Sequence, residues 1–335
     1  MNDLNYKFNS LDNLIGNTPL IEIIFSYKGK EMKIYSKLEY YNYTGSIKDR
    51  VALYILKKAY NENKIKANDT IIEATSGNTG ISFSAIGSFL NNPVKIYMPN
   101  WMSEERKQLL INFGAEIKLI SKSSGGFLEC IRLCKEDAKI NKNIFLPSQF
   151  ENNDNIMAHY LTTGPEIAKT LSKHNLPPNC FIAGVGTGGT IMGISRYLKT
   201  INPKLKSFPL EPSNSKILSC KFSNCSHRIE GISDEFVPPI LKLYELNKVI
   251  DVDDGDSIVM AKKLSNSLGL GVGISSGANF LGALKVLLKE GLNNTVVTVF
   301  SDDNKKYLST ALTKDEPIKE SFLSKDIELL YFNVL

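Results

Sequence analysis

The sequence predicts an α/β fold of two doubly wound domains with mostly parallel, twisted sheets. Short apolar runs alternate along the chain with amphipathic stretches, which is typical of parallel sheets covered by helices. Several predicted strands lead through glycine- or serine-rich turns into predicted helices. The 335 residues, of which 42% are hydrophobic, are enough to bury the cores of two modest domains.

The first half of the chain contains the elements of one α/β unit. Strands are predicted at residues 33–37, 70–73, 94–98, 116–120 and 143–146, and helices at 48–61, 80–90 and 103–113. A second unit begins after the polar segment 151–155. There we expect helices up to about residue 172 and at 190–198, and strands at 180–184, 208–210 and 296–300.

The charge and the N-terminal sequence indicate a soluble, cytoplasmic protein that binds neither nucleic acid nor membrane. The net charge of +5 comes from 40 basic and 35 acidic side chains, without a basic run. Residues 1–10 are polar and lack the apolar core of a secretory signal. No apolar stretch approaches the roughly 20 residues that a membrane-spanning helix needs.

The cysteines do not suggest a disulfide framework, because five is an odd number in a chain of this size. Cys130 and Cys134 lie four residues apart on a predicted helix. Cys220, Cys225 and the nearby His227 leave a metal site open as an alternative. With three histidines in the whole chain, we predict free or buried thiols and no metal.

A glycine-rich loop at residues 184–189 matches the pattern G-x-G-x-x-G, with Glu211 about twenty residues further on. It follows a predicted strand and precedes a predicted helix, so its backbone N–H groups can hold an anion. A dinucleotide pyrophosphate and a single cofactor phosphate fit equally, which leaves a nicotinamide-dependent dehydrogenase open. A tight turn without a ligand is the remaining alternative.

Two loops in the first half are not required by a dehydrogenase. Lys48 begins a predicted helix after a small-residue turn, where the helix dipole disfavours an ammonium and favours a neutral, nucleophilic amine. The segment Thr75–Gly80 brings hydroxyl and amide groups to another helix N-terminus, which suits a small carboxylate. A solvated lysine and a helix cap are the structural alternatives for these loops.

Together these loops resemble the cysteine synthase and cystathionine β-synthase family of pyridoxal-phosphate (PLP) enzymes. The resemblance runs nearly from end to end. Its segments are 15–20, 42–50, 75–80, 103–106, 114–116, 149–150, 163–167, 186–190, 211–212, 273–277 and 307–310.

The resemblance implies a role for each matching residue. Lys48 would form the Schiff base with PLP and then remove the Cα proton, Asn78 would contact the ring hydroxyl, and Ser275 the ring nitrogen. The phosphate would be held by Gly186, Thr187, Gly188, Gly189 and Thr190. The substrate carboxylate would be held by Thr75, Ser76, Thr79 and Gln149.

The resemblance also implies a fold similar to the tryptophan synthase β subunit, with the cofactor in the cleft between two domains. Residues 41–154 would form the smaller domain, with Lys48 and the carboxylate loop. Residues 1–40 plus 155–335 would form the larger one, with the phosphate loop. A homodimer is expected.

The dehydratase and racemase relatives fit less well because 48–51 reads Lys-Asp-Arg-Val. The presence of Lys48, Asn78 and Ser275 argues against a family member that has lost catalysis and acts only as a partner-binding or regulatory protein.

The sequence departs from the family pattern at residues 230–238, where an acidic pair, Asp234 and Glu235, replaces small or aromatic residues. An acid near the site repels a sulfide anion but can take a proton from water or a thiol. We therefore expect Asp234, with Glu235 as the lesser candidate, to activate a neutral nucleophile. The alternative is that both face solvent. Two further departures are the asparagine-rich segment 152–155 and the segment 301–304, interpreted as a polar strand end.

The resemblance implies β-replacement on a cysteine- or serine-type amino acid through an aminoacrylate intermediate. The favoured reaction converts cysteine to serine, or to a thioether, with release of hydrogen sulfide. The alternative is a cysteine synthase that joins O-acetylserine and sulfide. A cystathionine β-synthase-type condensation and the dehydrogenase are more remote.

Overall fold

The computed structural model describes residues 2–220 and 226–335, and it confirms the α/β class with mostly parallel sheets. The strands are β1 (Leu20–Tyr27), β2 (Lys30–Leu38), β3 (Thr70–Ala74), β4 (Val94–Pro99), β5 (Glu116–Ile120), β6 (Ile144–Phe145), β7 (Cys180–Gly184), β8 (Lys206–Pro212), β9 (Ile250–Val252), β10 (Val296–Phe300) and β11 (Ile327–Val334). The helices are α1 (Asn2–Leu14), α2 (Lys48–Asn61), α3 (Asn78–Leu90), α4 (Glu104–Asn112), α5 (Gly126–Ile140), α6 (Asp154–Ala158), α7 (Gly164–Lys173), α8 (Gly189–Ile201), α9 (Asp254–Leu268) and α10 (Ile274–Glu290).

The strands form two sheets. A seven-stranded sheet has the order β11-β1-β2-β10-β7-β8-β9, and a four-stranded sheet has the order β5-β4-β3-β6. All pairs in the smaller sheet are parallel, as are the pairs from β2 through β9 in the larger one. The pairs of β1 with β2 and with β11 are antiparallel.

Each sheet packs against its own apolar helix faces. Helix α10 is buried along most of its length among the strands of the larger sheet. Helices α2 and α3 pack on the smaller sheet, and Phe8 and Leu11 of α1 lie in the same apolar cluster. The ring of Phe8 meets that of Tyr60 edge-on at 5.6 Å between centroids.

The parallel strands determine where the functional loops lie. The carboxyl ends of β3, β7 and β10 lead into residues 75–77, 185–188 and 301–303, and helices α3 and α8 begin directly after the first two of these loops. Loops after the carboxyl ends of parallel strands are where ligand sites of α/β folds form. The two sheets thus supply the loops that line one cleft.

Most of the predicted elements agree closely with the structure, but helix α1 was not predicted. The single helix expected up to residue 172 is divided by one π-helical segment, His159–Thr163, between α6 and α7. Strands β1 and β11 were not predicted. Within the described residues, no helix is long and apolar enough to cross a membrane.

Candidate active site

Nearly all of the site residues predicted from the sequence line one cleft. It opens to solvent, and its empty space, counted together with the part open to solvent, is about 790 Å³. The predicted residues that line it are Lys48, Thr75, Ser76, Asn78, Thr79, Gln149, Gly186, Thr187, Gly188, Thr190, Asp234 and Ser275. Gly189 lies just behind this wall, and a side chain there would overlap Oδ1 of Asn155.

Lys48 is the first residue of α2, on the wall of the cleft. The turn before it is held by Asp49, a buried carboxylate that accepts hydrogen bonds from Oγ1 of Thr44 (2.5 Å) and Oγ of Ser82 (2.6 Å). Burial lowers the pKa of Lys48, against the opposing charges of Asp234 and Asp302. A larger fraction of the amine is therefore neutral at physiological pH than for a solvated lysine.

The segment Thr75–Thr79 forms the N-terminus of α3, as the carboxylate hypothesis requires. Gly77 adopts φ +156° and donates its backbone N–H to Oγ1 of Thr75 at 3.0 Å. Oγ1 of Thr79 donates to Oε1 of Gln149 at 2.7 Å, and Nε2 of Gln149 donates to the Ala74 carbonyl at 2.9 Å. Gln149 is thereby fixed beside the loop.

A buried acid lies beneath this loop. Glu73 accepts hydrogen bonds from the backbone N–H groups of Gln149 (3.1 Å) and Ala74 (3.0 Å). Burial raises the pKa of Glu73 to about 8, against these hydrogen bonds. Glu73 therefore supports the loop without adding a full negative charge near neutral pH.

The glycine-rich loop has the close-packed backbone of an anion-binding turn. Gly188 has φ +89°, and a side chain at Gly186 would overlap the carbonyl oxygen of Gly231. Oγ1 of Thr187 accepts from Nδ2 of Asn155 at 2.8 Å. With α8 starting at Gly189, the loop presents backbone N–H groups and hydroxyls to the cleft, which fits a single phosphate.

The residues predicted to contact the cofactor ring also face the cleft. Nδ2 of Asn78 donates to Oδ2 of Asp302 at 2.7 Å, and Oδ1 of Asn78 is buried without a protein partner among the described residues. Ser275, near the start of α10, is 5% exposed. An unpaired polar atom inside a cleft is best satisfied by a bound group.

The donor set therefore fits PLP, with Lys48 for the aldehyde, the loop 186–190 for the phosphate, and Asn78 and Ser275 for the ring. Bound PLP supplies an aldehyde for amines and a ring that accepts the electron pair left when the Cα–H bond breaks. The chain's own residues would hold the amino acid by its carboxylate at Thr75–Thr79, and Nζ of Lys48 would receive the proton.

Of the acidic pair, Asp234 lines the cleft and Glu235 is exposed. Burial raises the pKa of Asp234 to about 6, although Lys48 nearby lowers it. The adjacent Ser233 has φ +52° and donates its backbone N–H to the Val185 carbonyl at 2.8 Å, which fixes the loop. Of the two acidic residues, only Asp234 lines the cleft.

Four ionisable lining residues were not predicted as site residues: Arg106, Glu230, Asp302 and Tyr307. The interpretation of 301–304 as a polar strand end was wrong for Asp302, which is 1% exposed and accepts from the Tyr307 hydroxyl at 2.6 Å. The apolar strand pattern ends at Phe300 and does not indicate the burial of Asp302, whose partners are Tyr307 in the next turn and Asn78, 224 positions away. The acid count of the segment, already unusual, was the available signal.

The thiols of the described residues are free, with Cys130, Cys134 and Cys180 buried and Cys220 exposed. Cys225 lies outside the described residues, so the alternative metal site cannot be placed. In the part of the chain that the structure describes, no cluster of three or more metal-ligating side chains occurs.

Comparison with known proteins agrees with this cleft. Residues 11–302 match the family described as pyridoxal-phosphate dependent enzyme. A cysteine synthase from Staphylococcus aureus is 36% identical over 303 residues, covering 90% of this chain and 96% of that protein. Cysteine synthase B from Campylobacter jejuni is 40% identical over 299 residues, covering 89% of this chain and 96% of that protein.

Solved structures extend the comparison. A hydrogen sulfide-producing enzyme from Fusobacterium nucleatum is 57% identical, covers 99% of each chain and has a TM-score of 0.96. A variant of that enzyme, with one aspartate replaced by asparagine, is solved in complex with an α-aminoacrylate intermediate (56% identity, 98% of this chain and 99% of that one, TM-score 0.97).

These matches identify the cofactor as PLP rather than a nicotinamide dinucleotide. The chain belongs to the cysteine synthase family of pyridoxal-phosphate dependent enzymes, and it is a PLP enzyme of β-replacement.

Proposed function

We propose that this enzyme converts L-cysteine and water into L-serine and hydrogen sulfide. The Cβ–S bond breaks, a Cβ–O bond forms, and the water proton goes to the carboxylate of Asp234. The observation that carries this proposal is that Asp234 lines the same cleft as Lys48 and the carboxylate loop Thr75–Thr79.

The charge of the cleft favours a neutral nucleophile. Three carboxyl groups line it, those of Glu230, Asp234 and Asp302, and of these Glu230 is paired with Arg106 while burial raises the pKa of Asp302. An incoming sulfide anion meets repulsion from the ionised carboxylate of Asp234, whereas water does not. A carboxylate with a pKa of about 6 is largely ionised at neutral pH and still basic enough to accept a proton from attacking water.

The relatives support the same reaction class. The Fusobacterium nucleatum enzyme is hydrogen sulfide-producing, and a second hydrogen sulfide-producing enzyme of that organism is 38% identical with a TM-score of 0.82. The second candidate is a cysteine synthase reaction from O-acetylserine and sulfide, which the identity of 36% to the Staphylococcus aureus cysteine synthase favours.

Replacement of Asp234 by asparagine tests the proposal. Asp234→Asn keeps the shape of the side chain but removes the acceptor for the water proton. We expect serine formation from L-cysteine to fall by about a hundredfold. Glu235→Gln is the matched control, because Glu235 is exposed and outside the cleft. Serine formation at the wild-type rate in Asp234→Asn would refute the proposed base.

The site roles predicted from the sequence are part of this proposal, as is the division into residues 41–154 and 1–40 plus 155–335. In support, the strands of the four-stranded sheet all fall within 41–154 and those of the seven-stranded sheet outside it. The homodimer and the cytoplasmic location rest on the family resemblance and the free thiols. Light scattering of the purified enzyme measures the oligomeric state.

A further inference from the structure

An ion pair joins the two sides of the cleft next to Asp234. Nη1 of Arg106, on α4, contacts Oε2 of Glu230, four residues before Asp234 in the chain. The side chain of Arg106 is 2% exposed and that of Glu230 22%. Water therefore screens this pair weakly, and loss of one partner leaves a buried charge unpaired.

Arg106 is held in place on the side of the substrate loop. A side chain at Gly77 would overlap Cδ of Arg106, so the arginine stem fills the space beside the predicted carboxylate loop. Its guanidinium lies 4.4 Å from the centroid of the Tyr307 ring, within cation–π distance. Nε of Arg106 is buried without a hydrogen-bond partner in the described part of the chain. Glu230 is thus the anionic partner that fixes the end of this side chain.

Glu230 is held on the opposite side. The neighbouring Ile229 and Ile232 belong to the apolar cluster of the seven-stranded sheet. The backbone N–H of Ser233 donates to the Val185 carbonyl at 2.8 Å, so the loop with Asp234 is attached to the loop that follows β7 of that sheet. The substrate loop follows β3 of the other sheet. The ion pair therefore spans the space between the residues that hold the substrate and the residue that activates the nucleophile.

We propose that the Arg106–Glu230 ion pair is a positioning device that sets the distance between Asp234 and the substrate held on the Thr75–Thr79 loop, and thereby selects replacement over elimination. This inference rests on the proposed role of Asp234. When the pair is intact, the carboxylate of Asp234 is close enough to Cβ to activate a water and yield serine. When the pair is broken, the same substrate loses its sulfur but is released as pyruvate and ammonia after hydrolysis.

The first test is a measurement of structure that does not depend on the substrate. Glu230→Gln removes the charge with little change in shape. In the holoenzyme we expect amide hydrogen exchange to rise about tenfold in peptides that cover residues 76–80 and 104–110. Glu235→Gln makes the same change on the exposed part of the same loop and should leave those peptides unchanged. Unchanged exchange in Glu230→Gln would overturn the positioning role.

The second test is the ratio of products from L-cysteine. In Glu230→Gln we expect the serine-to-pyruvate ratio to fall about tenfold, while sulfide release stays within about threefold of wild type. Arg106→Lys keeps the charge and should recover part of the ratio relative to Arg106→Gln. An unchanged serine-to-pyruvate ratio in Glu230→Gln would overturn this inference and leave the proposed function standing. If the wild-type enzyme releases no sulfide from L-cysteine, the proposed function is overturned instead. The hydrogen-exchange measurement then still shows whether the Arg106–Glu230 pair holds the two sides of the cleft together.

Discussion

Nδ2 of Asn155 donates a hydrogen bond to Oγ1 of Thr187 at 2.8 Å, inside the glycine-rich loop. The same group donates to the backbone carbonyl of Gln149 at 2.9 Å, beside the carboxylate loop. Asn155 is fully buried, and its Oδ1 has no partner among the described residues. A single amide thus connects the predicted cofactor and substrate sites.

This connection predicts the effect of Asn155→Asp. The variant loses the amide donor and places a carboxylate next to the loop that holds the phosphate. A buried polar group left without its partner costs about 1–3 kcal/mol, so we expect PLP to bind roughly tenfold to a hundredfold more weakly. Titration of the apoenzyme with PLP, followed by the absorbance of the bound cofactor, measures this. Asn153→Asp, on an exposed neighbour, is the control and should bind PLP as wild type does.

Lys48 provides the second prediction. We propose that its amine, with a pKa lowered by burial, is the nucleophile toward the PLP aldehyde. Borohydride treatment of the holoenzyme should therefore leave PLP covalently attached to the peptide that contains Lys48, as read by mass spectrometry. Lys48→Ala should show no such attachment and lose at least about a thousandfold in activity. Attachment at another lysine in wild type would contradict the assignment.

The contact of Thr79 with Gln149 predicts a substrate effect without a cofactor effect. Thr79→Val keeps the shape but removes the hydroxyl that donates to Oε1 of Gln149 at 2.7 Å. We expect KM for the amino acid to rise about tenfold, because the loop loses a donor and the orientation of Gln149. The affinity for PLP should change by less than about twofold, since the phosphate loop lies elsewhere. Equal losses in both would argue against a carboxylate-binding role.

The pKa of Asp234 predicts the pH dependence of product formation. The group must be ionised to accept a proton, and its pKa is raised by burial to about 6. The rate of serine formation should therefore rise with pH through a midpoint near 6 and be lost below it. In Asp234→Asn the residual rate should no longer fall at low pH with a midpoint near 6. If the same fall persists in the variant, a group other than Asp234 is responsible for it.

Local pattern was enough to predict the elements that bear the site. Helix α2 begins at Lys48 and β7 ends at Gly184, as predicted, because α2 buries one apolar face and β7 is a short apolar run buried on both faces of the sheet. The edge strand β11 was not predicted because most of its residues are at least partly exposed and do not show a clear apolar pattern. Its position depends on pairing with β1, at the other end of the chain.

The sequence predicted Lys48 and Asn78 from family motifs and Asp234 from a departure from the family pattern. Arg106 also lies in a matching segment, but its partner was not predicted. Arg106 and Glu230 are separated by 124 positions, and their contact depends on how the two sheets meet. Asn155 is 32 positions from Thr187, and nothing in its polar surroundings distinguishes it from the exposed Asn153. Such pairings follow from tertiary packing rather than from local sequence.

The most direct test of the central claim is the reaction of the PLP-loaded wild-type enzyme with L-cysteine alone, in water enriched in heavy oxygen. We predict sulfide and serine in equal amounts, with the heavy oxygen in the serine hydroxyl. That result identifies water as the nucleophile that replaces sulfur. No sulfide from cysteine, together with rapid formation of cysteine from O-acetylserine and sulfide, would contradict the account and make the protein a cysteine synthase in function.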